Sequence, residues 1–168
     1  MNTEAIENDQ GFRQAAGKLQ LVRAGGSQFG IFAEEISAIV AWRQPTQLPY
    51  APKAVLGVVS IEGRMLTVLD LAVLPVCEAA LSDEPRRAPG HIIALRGDEQ
   101  LALAIEAPGE VIQLAPNEAM MNSLTKQETA TSPVLGVLQR EGEEIRILNL
   151  KVLFPIAIQG HERRQRRF

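Results

Sequence analysis

The sequence predicts an all-β protein made of two small β-barrel lobes that share one plan. Short runs rich in Val, Ile, Leu and Phe recur between Gly, Pro and charged residues, while long stretches with helical apolar spacing are scarce. One hairpin is also written twice, because Val55 to Leu71 aligns without a gap with Val134 to Leu150. Two copies suit a duplicated barrel better than a solenoid, which needs at least three units to bury a continuous core. With 168 residues of which 46% are hydrophobic, the chain has enough apolar material for that burial.

Taken from the N-terminus, Met1 to Gly17 reads as a tail; its first ten residues carry Glu4, Glu7 and Asp9 and lack the positive start and apolar core of a secretory signal. Strands are expected at Leu19 to Ala24, Gln28 to Ala33, Ala38 to Trp42, Val55 to Ile61 and Met65 to Asp70. In both copies of the repeat an apolar strand meets a Glu-Gly turn, Glu62-Gly63 and Glu141-Gly142, where Gly takes positive φ without a steric penalty. Each copy ends on Asp70-Leu71 or Asn149-Leu150, whose side-chain oxygen can cap a short helical turn. This explains Asp70 better than a catalytic carboxylate does, since its repeat partner is the uncharged Asn149.

The stretch from Cys77 to Pro89, with its run of charges and prolines, predicts a linker. Beyond it, strands are expected at His91 to Arg96, Leu101 to Ala107, Glu110 to Leu114, Val134 to Arg140 and Glu144 to Asn149. Gly25 to Ile31 and Gly97 to Leu103 form a weaker echo of the repeat, again a turn entering an apolar strand. Pro116 to Pro133 is a long connection with a helical turn expected around Asn117 to Leu124. The expected division is a tail at 1–17, one lobe at about 18–75, a linker at 76–89, a second lobe at about 90–153 and a basic C-terminal tail at 154–168.

Composition narrows the function classes. A net charge of -3 and a pI near 5.5 lack the overall basic field that draws nucleic acid or an anionic membrane. No apolar stretch is long enough to span a bilayer, and the protein is expected in the cytoplasm. The single cysteine, Cys77, permits neither an intrachain disulfide nor a cysteine-based zinc cage. His91 and His161, the only histidines, give no metal spacing or triad, and Gly25-Gly26 is a turn between strands rather than a phosphate loop. No cofactor and no catalytic set is expected, and protein partners are.

Phe29-Gly30-Ile31, then Ile36 to Val40, then Leu48-Pro49-Tyr50-Ala51-Pro52 and the Gly57-Val58 to Asp70-Leu71 hairpin resemble the first half of CheW-like domains in order and spacing. Leu101 to Ile105, Val111 to Leu114 and the Gly136 to Leu150 hairpin resemble the second half, so that the likeness covers roughly residues 18–153. It implies two SH3-like β-barrels packed side by side, without catalytic machinery. It further implies an adaptor in bacterial chemosensory signal transduction, recruited to receptor arrays at the inner membrane. The partners implied are the regulatory domain of a chemotaxis histidine kinase, the cytoplasmic tip of a chemoreceptor and other CheW-like proteins.

The implied contact residues are Ile36, Ala38, Val40, Trp42, Val58, Ile61, Glu62 and Arg64. The chain departs from the family at two of them. The hairpin turn of the family reads Asn-Leu-Arg-Gly, whereas here it is Ser60-Ile61-Glu62-Gly63, and a frequent acidic residue in the strand near Ile36 is replaced by Ala38. Arg-to-Glu at an interface turns attraction into repulsion against an unchanged acidic partner, which marks a divergent member with a partner of its own. Two readings stay open for the aliphatic residues, a groove for a partner helix or the barrel core. Trp42 is either an interface anchor or a cover for the barrel end. The rival function is a small-barrel ligand- or nucleic-acid-binding module, disfavoured by an aromatic content of 4%.

Overall fold

The protein is described from a computed structural model, which covers residues 17–74, 87–97, 100–114 and 132–165, with residues 159–165 as backbone only. Ten strands are described: β1 Lys18–Ala24, β2 Ser27–Phe32, β3 Ile36–Ala41, β4 Val55–Ile61, β5 Arg64–Asp70, β6 His91–Leu95, β7 Leu101–Ile105, β8 Ala107–Gln113, β9 Val134–Arg140 and β10 Glu143–Leu148. A helix, α1, runs over Leu150–Gln165. The all-β expectation holds, and each expected strand has its counterpart in sequence order.

The strands form two five-stranded sheets. Sheet 1 has the order β8-β1-β2-β10-β9 and sheet 2 the order β3-β6-β7-β5-β4. Adding five to every strand of the first half, and subtracting five from every strand of the second, converts one order into the other. The register obeys the same rule. Parallel pairing sets Arg146 against Phe29 and Ile147 against Gly30 in sheet 1, and Thr67 against Leu101 and Val68 against Ala102 in sheet 2. These are the residue pairs that the two repeat alignments equate.

The exchange of hairpins differs from the division expected at 76–89. β1 and β2 of the first half lie in a sheet with β8, β9 and β10, while β6 and β7 of the second half lie with β3, β4 and β5. A sequence repeat records which segments are alike but not which copy each segment pairs with. The exchange gives each hairpin the neighbours its register demands, and it places a joint core between the sheets. Phe29, Ile31, Leu69, Leu71, Ile93, Leu103, Leu148 and Leu153 belong to that core, fed by both sheets and by α1. Each sheet also wraps a core of its own, around Ile61, Leu66, Val68 and Ile92 in sheet 2 and around Leu19, Leu21, Ile145 and Ile147 in sheet 1.

Both sheets curl until their edges meet. In sheet 2 the chain leaving β3 crosses to the far edge, where Thr46 and Val58 exchange backbone hydrogen bonds of 2.8 and 2.9 Å. Gly57 makes this approach possible, since a Cβ there would lie 2.2 Å from the Thr46 carbonyl oxygen. In sheet 1 an ion pair of 3.3 Å joins Glu110 on edge strand β8 to Arg140 on edge strand β9. The bridge in sheet 2 pairs part of its edge through the backbone, whereas sheet 1 is joined there through side chains.

The Glu-Gly turns are two-residue hairpin loops with positive φ at both positions, 51° and 77° at Glu62 and Gly63 and 50° and 80° at Glu141 and Gly142. Their backbone matches the right-handed twist of the flanking strands. Asp70 caps as expected, its Oδ1 accepting from Ala72 N at 3.1 Å at the start of a 3₁₀ turn. The Asn149 side-chain amide donates to the Ser132 carbonyl at 3.0 Å. Past Asn149 the chain continues into the 16-residue helix α1, where the sequence reading expects a short turn and a tail. The helix persists because Leu150, Leu153 and Ala157 bury one stripe against the joint core. Pro155 lies inside this helix and, having no backbone N–H, donates no hydrogen bond to it. The linker with Cys77 and the turn expected at Asn117 to Leu124 lie largely outside the described residues.

Candidate functional site

Strand alternation sorts the expected contact residues. On β4, Val59 and Ile61 point into sheet 2's core, and Ile61 is only 2% exposed. Ile61 is therefore placed in the core, one of the two readings open for the aliphatic residues. It lies opposite Arg64 across the turn, and β4's period of two sends Val58 and Ser60 outward instead. On β3, Ala38 and Val40, followed by Trp42, pack partly buried against the same core, whereas Ile39 faces out. The Trp42 backbone N–H donates to the Gly90 carbonyl at 3.0 Å. Ile36 packs against the joint core between the sheets.

The outward face of the β4–β5 hairpin is then Val58, Ser60, Met65 and Thr67, in register as the pairs Val58–Thr67 and Ser60–Met65. Met65 is 58% exposed, and no side chain in the set carries a charge. At the tip Glu62 is exposed. Arg64 turns back over the neighbouring strands and donates to the carbonyls of Leu95 and Gly97, both at 3.3 Å. It therefore staples the hairpin to the end of β6. Arg43 donates to the Ser60 carbonyl at 3.2 Å and borders the patch.

The repeat supplies an internal control. The equivalent face on β9–β10 is Val137, Gln139, Glu144 and Arg146, again in register. There Arg146 Nε donates to Glu144 at 3.2 Å, and Arg23 pairs with Glu143 at 3.5 Å. Gln28, with its amide oriented to suit, bridges Arg23 and Glu143. One architecture thus carries an uncharged face on sheet 2 and a salt-bridged, charged face on sheet 1. Sequence alignment of the two copies shows this Met65/Glu144 and Thr67/Arg146 contrast, but only the alternation seen in the sheets reveals that both pairs face outward.

A second feature escaped the sequence reading. Glu35 ends the 3₁₀ turn Ala33–Glu35, where the chain crosses from sheet 1 to sheet 2. It lines a cavity of about 280 Å³ together with Leu95, Arg96, Gly97, Gln100, Leu101, Leu150 and Lys151. Its Oε2 is sealed from solvent and has no hydrogen-bond partner among the described residues. Burial raises its pKa above the usual carboxyl range; the neighbouring Glu34 raises it further and Lys151 opposes both. The available signal was the pair Glu34-Glu35 between two apolar strands. Here Glu34 is exposed and Glu35 turns inward.

Among the described residues no group of His, Cys, Asp and Glu could hold a metal ion, and no helix is long and apolar enough to cross a membrane. The CheW-like domain family matches the chain over residues 18–157. A chemotaxis protein CheW of Rhizobium meliloti (strain 1021) is 26% identical over 133 residues, covering 79% of this chain and 84% of that protein. The crystal structure of the scaffolding protein TtCheW from Thermoanaerobacter tengcongensis superposes with a TM-score of 0.66 at 21% identity, covering 83% of this chain and 88% of that one.

Proposed function

The chain belongs to the CheW-like domain family, and from that premise we propose that it is a non-catalytic scaffold of chemosensory signalling that couples a chemoreceptor to a histidine kinase. The observation that carries this reading is the contrast between the two equivalent hairpin faces. A scaffold that joins unlike neighbours needs two surfaces of unlike chemistry on one body, and uncharged Val58, Ser60, Met65 and Thr67 against polar and charged Gln139, Glu144 and Arg146 supply them. The names of the relatives, a chemotaxis protein and a scaffolding protein, agree in kind.

The kinase regulatory domain is assigned to the β4–β5 face, with Met65 and Val58 as apolar contacts and Glu62 as the charged residue at its rim. An apolar centre with a charged rim is the usual division of labour at an interface. Glu62 stands where the family carries Arg, so the cognate partner presents a neutral or basic surface there. Size-exclusion chromatography with light scattering tests this on a mixture with the kinase regulatory domain encoded in the same genome. The wild-type chain should form a stable complex, and Glu62→Arg should weaken it. A complex indifferent to both Glu62→Arg and Met65→Glu would remove the partner from this face.

A further inference from the structure

We infer that the Glu35 cavity is a recognition pocket for one basic side chain, Arg or Lys, presented by a protein partner whose neighbouring residues are acidic. This rests on the scaffold reading and names a specificity element within it. The cavity sits where three parts of the molecule meet: the crossover from β2 to β3, the end of β6 with the start of β7, and the first turn of α1. At about 280 Å³ it lies just below the range of roughly 300–1,000 Å³ in which small-molecule ligands are held, and suits a single long side chain.

Its chemistry selects the occupant. The carboxyl group of Glu35 is desolvated, and its Oε2 receives no donor from the described residues. A buried acceptor left without a donor is a standing cost of the free protein, which a bound donor removes. A guanidinium or ammonium does so best, because it also meets the negative charge. Arg96 is held at the rim, with its Nε donating to the Ile36 carbonyl at 3.1 Å and its backbone N–H to the Glu35 carbonyl at 2.8 Å. Lys151 acts on Glu35 through space and is exposed. Arg96 and Lys151 therefore stand as two cations at the mouth around one inner carboxylate. An incoming basic residue meets Glu35 while acidic residues beside it meet Arg96 and Lys151. A partner segment of uniform charge would be repelled by one layer or the other.

Protonation competes with the occupant. Among the described residues, the charged and polar groups around Glu35 are Glu34 on its own turn, Arg96 and Gln100 from the β6–β7 end, and Lys151 from α1. With its pKa raised, Glu35 takes up a proton in mild acid sooner than an exposed glutamate would, and the neutral acid no longer attracts a cation.

The test is calorimetric binding of the receptor-tip fragment encoded in the same genome, between pH 5 and 7.5, to the wild-type chain, Glu35→Gln and Glu35→Asp. Thermal melts confirm that each variant folds. Glu35→Gln should lose about tenfold in affinity at pH 7.5, the size expected for one charge-assisted hydrogen bond. Its affinity should also be flat with pH where that of the wild type falls on acidification. Glu35→Asp, which keeps the charge, should retain part of the affinity. Wild-type binding with Glu35→Gln unchanged in affinity and in pH profile would overturn the pocket and leave the scaffold reading standing. No binding by the folded wild-type chain would overturn both.

Discussion

Replacing Glu62 with Asn should raise the melting temperature. Glu62 is the first central residue of a two-residue turn and holds φ at 51°, in the left-handed region. A residue with a Cβ is disfavoured there by roughly 1–2 kcal/mol. Asn enters the region more readily because its short side chain bonds the local backbone, and relief of about half the strain gives on the order of 0.5–1 kcal/mol. For a chain of this size 1 kcal/mol moves the midpoint by about 2–4 °C, so a rise of about 1–4 °C is expected. Glu62→Gly removes the clash too, but frees the unfolded chain by about 0.4–1 kcal/mol and should trail behind Asn. Glu141, at φ 50°, holds the same place in the other sheet, so Glu141→Asn should give a similar rise and the double variant should come close to the sum. Differential scanning calorimetry reads all four. If both Asn variants melt at or below the wild type, the turns store no left-handed strain and the reasoning fails.

Gly57→Ala should cost more than about 2 kcal/mol, because the new Cβ would meet the Thr46 carbonyl and force open the closure of sheet 2; loss of hydrogen-exchange protection at Thr46 and Val58 would localise it. Ile61→Ala should cost about 2–5 kcal/mol in a denaturant titration, as a fully buried aliphatic truncation, whereas Met65→Ala should stay within about 1 kcal/mol and act on kinase binding instead. Glu35→Gln should change how stability depends on pH. The folded-state pKa of Glu35 is raised, so its contribution is fully present below the unfolded value and is lost as pH rises through the folded one. The wild type should therefore lose stability relative to Glu35→Gln from about pH 4.3 upward, and a constant difference across melts at pH 4 to 7 would contradict this.

Strand positions were legible because their signal is local. Val55–Ile61 and Val134–Arg140 carry apolar runs that end on Glu-Gly, and the structure ends both strands at those turns. Pairing across the two halves was not legible, since β2 against β10 and β5 against β7 depend on residues more than thirty positions apart. Which side chains face outward was hidden for a related reason. Ile61 and Met65 are both apolar residues beside one turn, and only the phase of each strand decides that the first is core and the second surface. Glu35 was invisible because its importance comes from α1 and the β6–β7 end closing over it, and most of α1 lies in the stretch 154–168 expected as a tail.

The exchange of hairpins makes a stronger claim about the molecule than either barrel alone. If the halves were independent lobes, cutting the chain within residues 75–86 would leave two small folded domains. In the observed topology the first fragment would hold β3, β4 and β5 without β6 and β7, and β1 and β2 without β8, β9 and β10. Each fragment would expose most of the joint core that Phe29, Ile31, Ile93 and Leu103 now fill from both sides. Neither should fold as a monomer, and mixing the two should restore a sheet-rich, cooperatively melting complex. Because the repeat makes the exchanged pieces alike, a fragment that does fold alone has one route open, which is to exchange hairpins with a second copy of itself. It would then sediment as a dimer. A folded monomeric half, seen by dispersed amide resonances and light scattering, would break this account. In the intact chain, the uncharged face on sheet 2 and the charged face on sheet 1 cannot move apart without opening the joint core between the sheets, so a partner docked on one face is held at a fixed orientation to a partner on the other.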